Sequence, residues 1–234
     1  MKLIVSDLDG TLLNKNETVI NKNIKNSIYK ILQSGNVFSV ASGRNYIELK
    51  HLFPEFENDI YFICNDGTLG VYKENTFFDM PMNKDMFKDF REYTAHAKYI
   101  TYVKSDNALF VRKIMKQYFS HVVMIDSISD IKENIYKISD FDKNISCSLP
   151  VVYKDNKMNE YITENADKAL AVKQLIKLLK IPMADAYAFG DNINDIGMFS
   201  VCGSSYAVAN ALPIVKSSAD KIVQNIEEEF LRII

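Results

Sequence analysis

Lys2-Leu3-Ile4-Val5-Ser6-Asp7-Leu8-Asp9-Gly10-Thr11 is the stretch that decides the fold. Its apolar start, Lys2 to Ser6, reads as a buried strand, and it breaks at once into acid and glycine. Residues i and i+2 of an extended chain project to the same side, so Asp7 and Asp9 can face one crevice. Gly10 lets the chain turn sharply there without a Cβ clash. Two crowded carboxylates want a cation, and oxygen-only ligation favours magnesium. Acidic strand-to-loop turns are also common without any function, so the stretch needs a partner elsewhere in the chain.

That partner is Gly190-Asp191-Asn192-Ile193-Asn194-Asp195, which again follows an apolar strand, Ala186 to Phe189. With glycine near 7% and the other types near 5%, each pattern arises by chance in roughly 0.2% of chains this long. Both together, in order and each after a strand, argue against coincidence.

Between and around these two stretches, short β-rich runs alternate with amphipathic segments, the pattern of a parallel sheet covered by helices. Ile24, Ile28, Ile31 and Leu32 keep helical spacing between Asn23 and Ser34, and Gly35 is a natural stop. Val37 to Ala41 reads as a second strand opening into Ser42-Gly43-Arg44, followed by a helix from Tyr46 to Leu52. Ile60 to Cys64 is a third strand, opening into Asn65-Asp66-Gly67. Ligands of open α/β sheets sit at such carboxyl ends of strands. A hairpin, Leu69 to Tyr72 and Thr76 to Phe78, turns at Lys73-Glu74-Asn75.

The pattern changes from about Met80 to Thr163, which is rich in Lys, Tyr, Phe and Met. Strand-like runs stand there at Tyr99 to Val103, Ala108 to Val111, Val122 to Ile125 and Leu149 to Tyr153, with a helix near Asp85 to His96. After Asp167 the first pattern resumes with an amphipathic helix, Lys168 to Leu179. The expected architecture is therefore α/β. A doubly wound, Rossmann-like parallel-sheet core is formed by residues 1–79 and 164–234, with residues 80–163 inserted as an α/β cap domain.

The 234 residues carry net charge −2, with 47% hydrophobic and 25% charged side chains. That is the balance of a globular protein, and it offers no cationic footprint for nucleic acid or an anionic membrane. No apolar run approaches the roughly 18 residues that would span a bilayer. Asp7 interrupts the N-terminus too early for a signal peptide. Cys64, Cys147 and Cys202 have no paired spacing, so neither disulfides nor a thiolate zinc site are expected, and a cytoplasmic location is.

Asp7-Leu8-Asp9-Gly10-Thr11, Ser42-Gly43-Arg44, Lys168 before its helix and Gly190 to Asp195 resemble the four ordered motifs of the haloacid dehalogenase-like superfamily. The insertion after the second motif resembles the cap of its Cof-like (type IIB) phosphatases, as does the tail Val208-Ala209-Asn210-Ala211 with Ser218-Ala219-Asp220. This resemblance implies a magnesium-dependent phosphatase for small phosphorylated metabolites, such as sugar or cofactor phosphates. Asp7 would be the nucleophile and Asp9 the general acid–base. The metal would be held by Asp7, Asp191, Asp195 and Asp9, the last through its backbone carbonyl. Thr11, Ser42, Gly43, Asn194 and Lys168 would bind the phosphate, Lys168 as a compact cation shared with Asp7.

By residue type alone, Ser42 reads as a cap or turn residue and Lys168 as solvated surface; only the ordered set raises them. Asn65-Asp66-Gly67 departs from the Asn-Gly-Ala usual in the family, and Glu227-Glu228-Glu229 stands where a Glu-Asp-Gly turn is usual. His51, His96 and His121 lack ligand spacing. Phe87, Phe90, Tyr93, Tyr99 and Tyr102 read as cap core, and Arg112, Lys113 and Lys116 as a solvated helix face. A phosphotransferase or mutase with the same nucleophile, and an idle regulatory module, stay open as alternatives. An EF-hand is excluded, because Leu12 falls where its loop requires glycine. A DxD glycosyltransferase would leave Gly190 to Asp195 without a role. Oligomeric state and substrate identity carry no signature.

Overall fold

In the computed structural model the described residues are 1–14, 17–82, 101–104, 109–112, 122–126, 130–141, 151–154 and 158–234. The chain begins with β1 (Leu3–Ser6), α1 (Lys22–Gln33), β2 (Val37–Ala41), α2 (Tyr46–Leu52), β3 (Tyr61–Cys64), β4 (Leu69–Tyr72) and β5 (Asn75–Asp79). It closes with α3 (Lys168–Leu179), β12 (Ala186–Gly190), α4 (Ile196–Val201), β13 (Ser204–Val208), α5 (Pro213–Ser218), β14 (Lys221–Val223) and α6 (Ile226–Ile233). These strands form one sheet in the order β14-β13-β12-β1-β2-β3-β4-β5. It is parallel from β14 to β3, and the β4–β5 hairpin extends it antiparallel.

Leu3, Ile4, Val5 and Ser6 alternate between the two faces of the sheet, yet all are inaccessible, so helices cover both faces. The helices start and stop where local chemistry dictates. Asn21 accepts from the Ile24 N–H at 3.0 Å at the start of α1, whose Ile24, Ile28 and Ile31 turn inward. Asp167 does the same for the Leu170 N–H at 2.6 Å at the start of α3. Asn225 caps α6, and Glu227, Glu228 and Glu229 occupy its first turn, where carboxylates suit the helix dipole. The acidic run is thus a helix start. The hairpin turns with Lys73 and Glu74 both at positive φ (49° and 63°), the mirror-image turn that matches strand twist.

The insertion supplies β6 (Thr101–Lys104), β7 (Leu109–Arg112), β8 (Val122–Ile125), β9 (Lys137–Asp140), β10 (Val151–Lys154) and β11 (Asn159–Ile162). They form a second sheet in the order β10-β11-β9-β6-β7-β8, antiparallel except between β7 and β8. Arg112 lies on β7, not on a helix face as its sequence suggests. Two strands, β9 and β11, escape the hydrophobic pattern. The helix expected from Asp85 to His96 lies outside the described residues, as do His96, His121, Cys147, Lys113, Lys116 and the aromatics from Phe87 to Tyr99. Among the described residues no helix is long and apolar enough to cross a membrane.

The aromatic centre of the first sheet is Phe230 of α6, edge-on to Phe38 (5.6 Å) and Phe189 (4.9 Å), with Phe189 stacked on Tyr206. Phe230 is fully buried. Phe230→Ala should therefore destabilise the fold by about 3–5 kcal/mol, read as a lower midpoint of urea unfolding at unchanged slope. A loss below about 1 kcal/mol would contradict this packing.

Candidate active site

Four loops meet at the carboxyl ends of β1, β2, β3 and β12. Asp7 follows β1 and is registered by its backbone N–H, which donates to the Phe189 carbonyl at 2.9 Å. The loops after β2 and β3 are stitched together: the Asn65 N–H donates to Arg44 O (2.8 Å) and the Asp66 N–H to Ser42 O (3.0 Å). Asn65 and Asp66 both take left-handed backbone (φ 50° and 57°), a conformation these two residue types tolerate.

Lys168, the first residue of α3, lies at the centre and is 1% exposed. Its Nζ donates to Asp7 Oδ1 at 2.6 Å and to Asp195 Oδ1 at 2.7 Å. The other oxygen of Asp195 accepts from the Asp191 and Asn192 N–H groups, both at 3.0 Å. Asp7, Asp191 and Asp195 each present a carboxylate oxygen within 4.8 Å of the others. Burial, then the neighbouring Asp195 and Asp191, push the Asp7 carboxyl well above its usual range, although Lys168 opposes them. Asp191 is raised by burial and by Asp195. Burial works against the charge of Lys168, but Asp195, Asp7 and Asp66 outweigh it and hold the ammonium above its ordinary value.

Three carboxylates around one ammonium leave an excess of negative charge in a dry site. Asp7 Oδ2 is buried without a hydrogen-bond partner. An oxygen-only set with an unpaired buried carboxylate oxygen is what a hard divalent cation satisfies. Asp7, Asp191 and Asp195 therefore fit magnesium. The Asp9 side chain stands apart from this cluster: Arg44 grips it with Nε at 2.9 Å and Nη2 at 2.5 Å.

Most of the remaining candidates fall around a cavity of about 670 Å³, but Thr11 does not line it. Asp7, Asp9, Ser42, Gly43, Asp191 and Asn194 line it. The Ser42 hydroxyl, almost wholly buried, accepts from the Arg44 N–H at 3.2 Å. Thr11 donates to Asp191 Oδ1 at 3.4 Å. The Asn194 amide donates to Asp66 Oδ1 at 3.1 Å, a partner its motif does not suggest. Asn65 is fully buried, and neither atom of its side-chain amide finds a partner.

Sequence reasoning missed Asp66, Lys137 and Glu160, which complete the wall. Lys137 of β9 is buried and ion-pairs with Asp66 of the first sheet and Glu160 of β11, each at 2.5 Å. Burial alone would raise Asp66; Lys137 and Lys168 outweigh it and hold its pKa at about 2. Gly43 has to be small there, because a Cβ would come within 3.1 Å of both Asp66 Oδ2 and Lys137 Nζ. The one signal available was the exchange of Gly for Asp at position 66, which adds a charge needing a partner.

A family model described as haloacid dehalogenase-like hydrolase matches residues 4–164 and 113–229. The 5-amino-6-(5-phospho-D-ribitylamino)uracil phosphatase YbjI of Escherichia coli (strain K12) is 28% identical over 246 residues, spanning 94% of this chain and 89% of its own. Phosphoglycolate phosphatase 1 of Saccharolobus solfataricus is 27% identical over 237 residues, spanning 96% and 90%. A haloacid dehalogenase-like hydrolase from Bacteroides thetaiotaomicron superposes with a TM-score of 0.85 at 20% identity, covering 100% of this chain and 99% of that one. The subclass IIB sugar phosphatase BT4131 does so with a TM-score of 0.82 at 16% identity over the whole of both chains. These structural likenesses are likenesses of fold.

Gly10 tests the acidic cluster. Its φ is +99°, and a Cβ there would run into the Asp191 carboxylate. Gly10→Ala should cost about 1–3 kcal/mol of stability from backbone strain. It should also lessen any rise in melting temperature that added magnesium produces in the unsubstituted protein. An undiminished magnesium-dependent rise would show that Asp191 is not needed for the cation.

Proposed function

The chain belongs to the haloacid dehalogenase-like hydrolases and is a phosphatase, and from that premise we propose that it hydrolyses small phosphorylated metabolites with magnesium through an aspartyl-phosphate. One observation carries the reading: a buried Lys168 bridges Asp7 and Asp195 within a cluster of three carboxylates, of which Asp7 and Asp191 line the cavity. A structural lysine needs no third acid beside it.

Asp7 attacks phosphorus through a carboxylate oxygen, and the leaving alkoxide departs, so hydrolysis is split into two steps. Lys168 holds Asp7 in place and keeps its charge compensated as it approaches a dianion. Ser42 donates its hydroxyl hydrogen to a phosphoryl oxygen, and the backbone N–H groups of Leu8, Asp9 and Gly43 serve the same oxygens. Thr11 and Asn194 stand at the edge of this phosphate site, each braced by an acid. Asp7, Asp191, Asp195 and the Asp9 carbonyl would hold magnesium, which would supply positive charge against the phosphate.

Asp9 protonates the leaving oxygen and later takes a proton from the water that opens the aspartyl-phosphate. Its present partner is Arg44, whose guanidinium holds both of its carboxylate oxygens. Arrival of a phosphate dianion beside Arg44 gives the guanidinium a stronger partner and releases Asp9 to act. We place the division between catalytic core and cap at residues 1–79 and 164–234 against 80–163; two separate sheets support it. A cytoplasmic setting suits the thiols of Cys64 and Cys202, both buried and unpaired.

Asp7→Asn should abolish turnover without unfolding the protein; activity within about tenfold of the original would rule out the covalent route. Chelation should stop the reaction and magnesium restore it, whereas calcium, with its looser coordination, should inhibit. Asp9→Asn separates acid–base work from metal binding. With an aryl phosphate, whose leaving group needs no proton, this variant should form phosphoenzyme in a burst and then turn over slowly. With an alkyl phosphate it should show neither. Equal losses on both substrates in rapid-quench measurements, with no trapped intermediate, would remove Asp9 from that role.

A further inference from the structure

The cavity wall that adjoins Gly43 and Asn194 is charged, and its charge does not balance. Lys137 Nζ has three hydrogens and three acceptors: Asp66 Oδ2 (2.5 Å), Glu160 Oε2 (2.5 Å) and Gly43 O (3.2 Å). The ammonium is saturated and has no hydrogen left for a substrate. The two carboxylates are not saturated. Asp66 takes one donor on each oxygen, Lys137 and Asn194, and Glu160 likewise takes Lys137 and the Ser139 hydroxyl at 2.6 Å. A carboxylate has about four lone-pair sites, so each can accept more. Both line the cavity, beside apolar Val152 and Met158.

Among the described residues of this wall, two carboxylates and one ammonium leave one negative unit in a buried setting. Arg44, the other cation among the described residues lining the cavity, is engaged by Asp9 and, once substrate arrives, by its phosphate. A leaving group entering there meets acceptors for hydroxyl hydrogens and repulsion for a carboxylate or second phosphate. We propose that Asp66 and Glu160, tied across the two sheets by Lys137, select uncharged, hydroxyl-bearing leaving groups and reject anionic ones. The inference rests on the phosphatase reading above and narrows it to the charge class of the alcohol released.

The test uses pairs of phosphomonoesters that differ by one carboxylate: glycerol 3-phosphate with 3-phosphoglycerate, and glucitol 6-phosphate with 6-phosphogluconate. Each is measured as a substrate and as a competitive inhibitor of p-nitrophenyl phosphate hydrolysis, so discrimination is read even where turnover is slow. The neutral member of each pair should be favoured by about tenfold or more in kcat/KM or Ki. Glu160→Gln keeps the shape and removes the charge, and should bring the ratio to within about threefold, chiefly by lowering KM or Ki for the anionic member. Asp66→Asn should shift it in the same direction, and serves if Glu160→Gln does not fold. Equal preference in the unsubstituted protein, or a ratio unmoved by both substitutions, would overturn the proposal while leaving the phosphatase reading intact. An inert protein, unable to hydrolyse even p-nitrophenyl phosphate, would overturn that reading and the inference with it.

Discussion

The structure depends on one ammonium buried among carboxylates. Lys168 sits where water cannot reach it, and it is tolerated because Asp7 and Asp195 lie within 2.7 Å. Removing such a partner from a buried group typically costs 3–5 kcal/mol, roughly. Each acid therefore has to be delivered by its own strand end, with loops that cannot wander. Asp195 is fixed by two backbone N–H groups, Asp7 by its link to Phe189. Asp7 keeps one oxygen unpaired even so. Crowding of this kind works against stability, and its persistence in a well-packed core marks a site shaped for chemistry.

The second sheet is joined to this centre by a similar device. Lys137 reaches across from β9 and shares its charge between Asp66 and Glu160, one from each sheet. Asp66 feels both lysines, which is why its carboxyl is held so far below the usual range. The two ammonium groups are thus electrostatically linked through a single carboxylate. Geometry at the phosphate end and geometry at the leaving-group end cannot be set independently.

The first sheet was legible because its strands are apolar runs with recognisable stops. Val37–Ala41, Tyr46–Leu52, Leu69–Tyr72 and Lys168–Leu179 fall where periodicity places them. The insertion was only half legible. Lys137-Ile138-Ser139-Asp140 and Asn159-Glu160-Tyr161-Ile162 form fully buried strands, yet most of their residues are polar. A pattern rule reads polarity as exposure, and it fails where buried polar groups satisfy one another. The same blind spot hid Asp66, Lys137 and Glu160, since no local spacing relates residues that meet only through the fold. Asp7, Asp191 and Lys168 were visible for the opposite reason: each stands beside a strand end or helix start in a short motif. Arg44 was quoted within such a motif, but its grip on Asp9 is a matter of geometry.

The register of β1 carries a consequence for how the protein is made. Its neighbours are β2, which follows directly, and β12, in which Ala186 pairs with Leu3. A ribosome emits the chain from one end, so β1 waits with one edge bare until β12 emerges. Non-local pairing of this kind is slow, and bare edges invite wrong partners. The same delay has a protective side. Asp7 meets Lys168 only once a residue 161 positions further on has emerged, and Asp195 later still, so until then the acidic cluster stays unassembled.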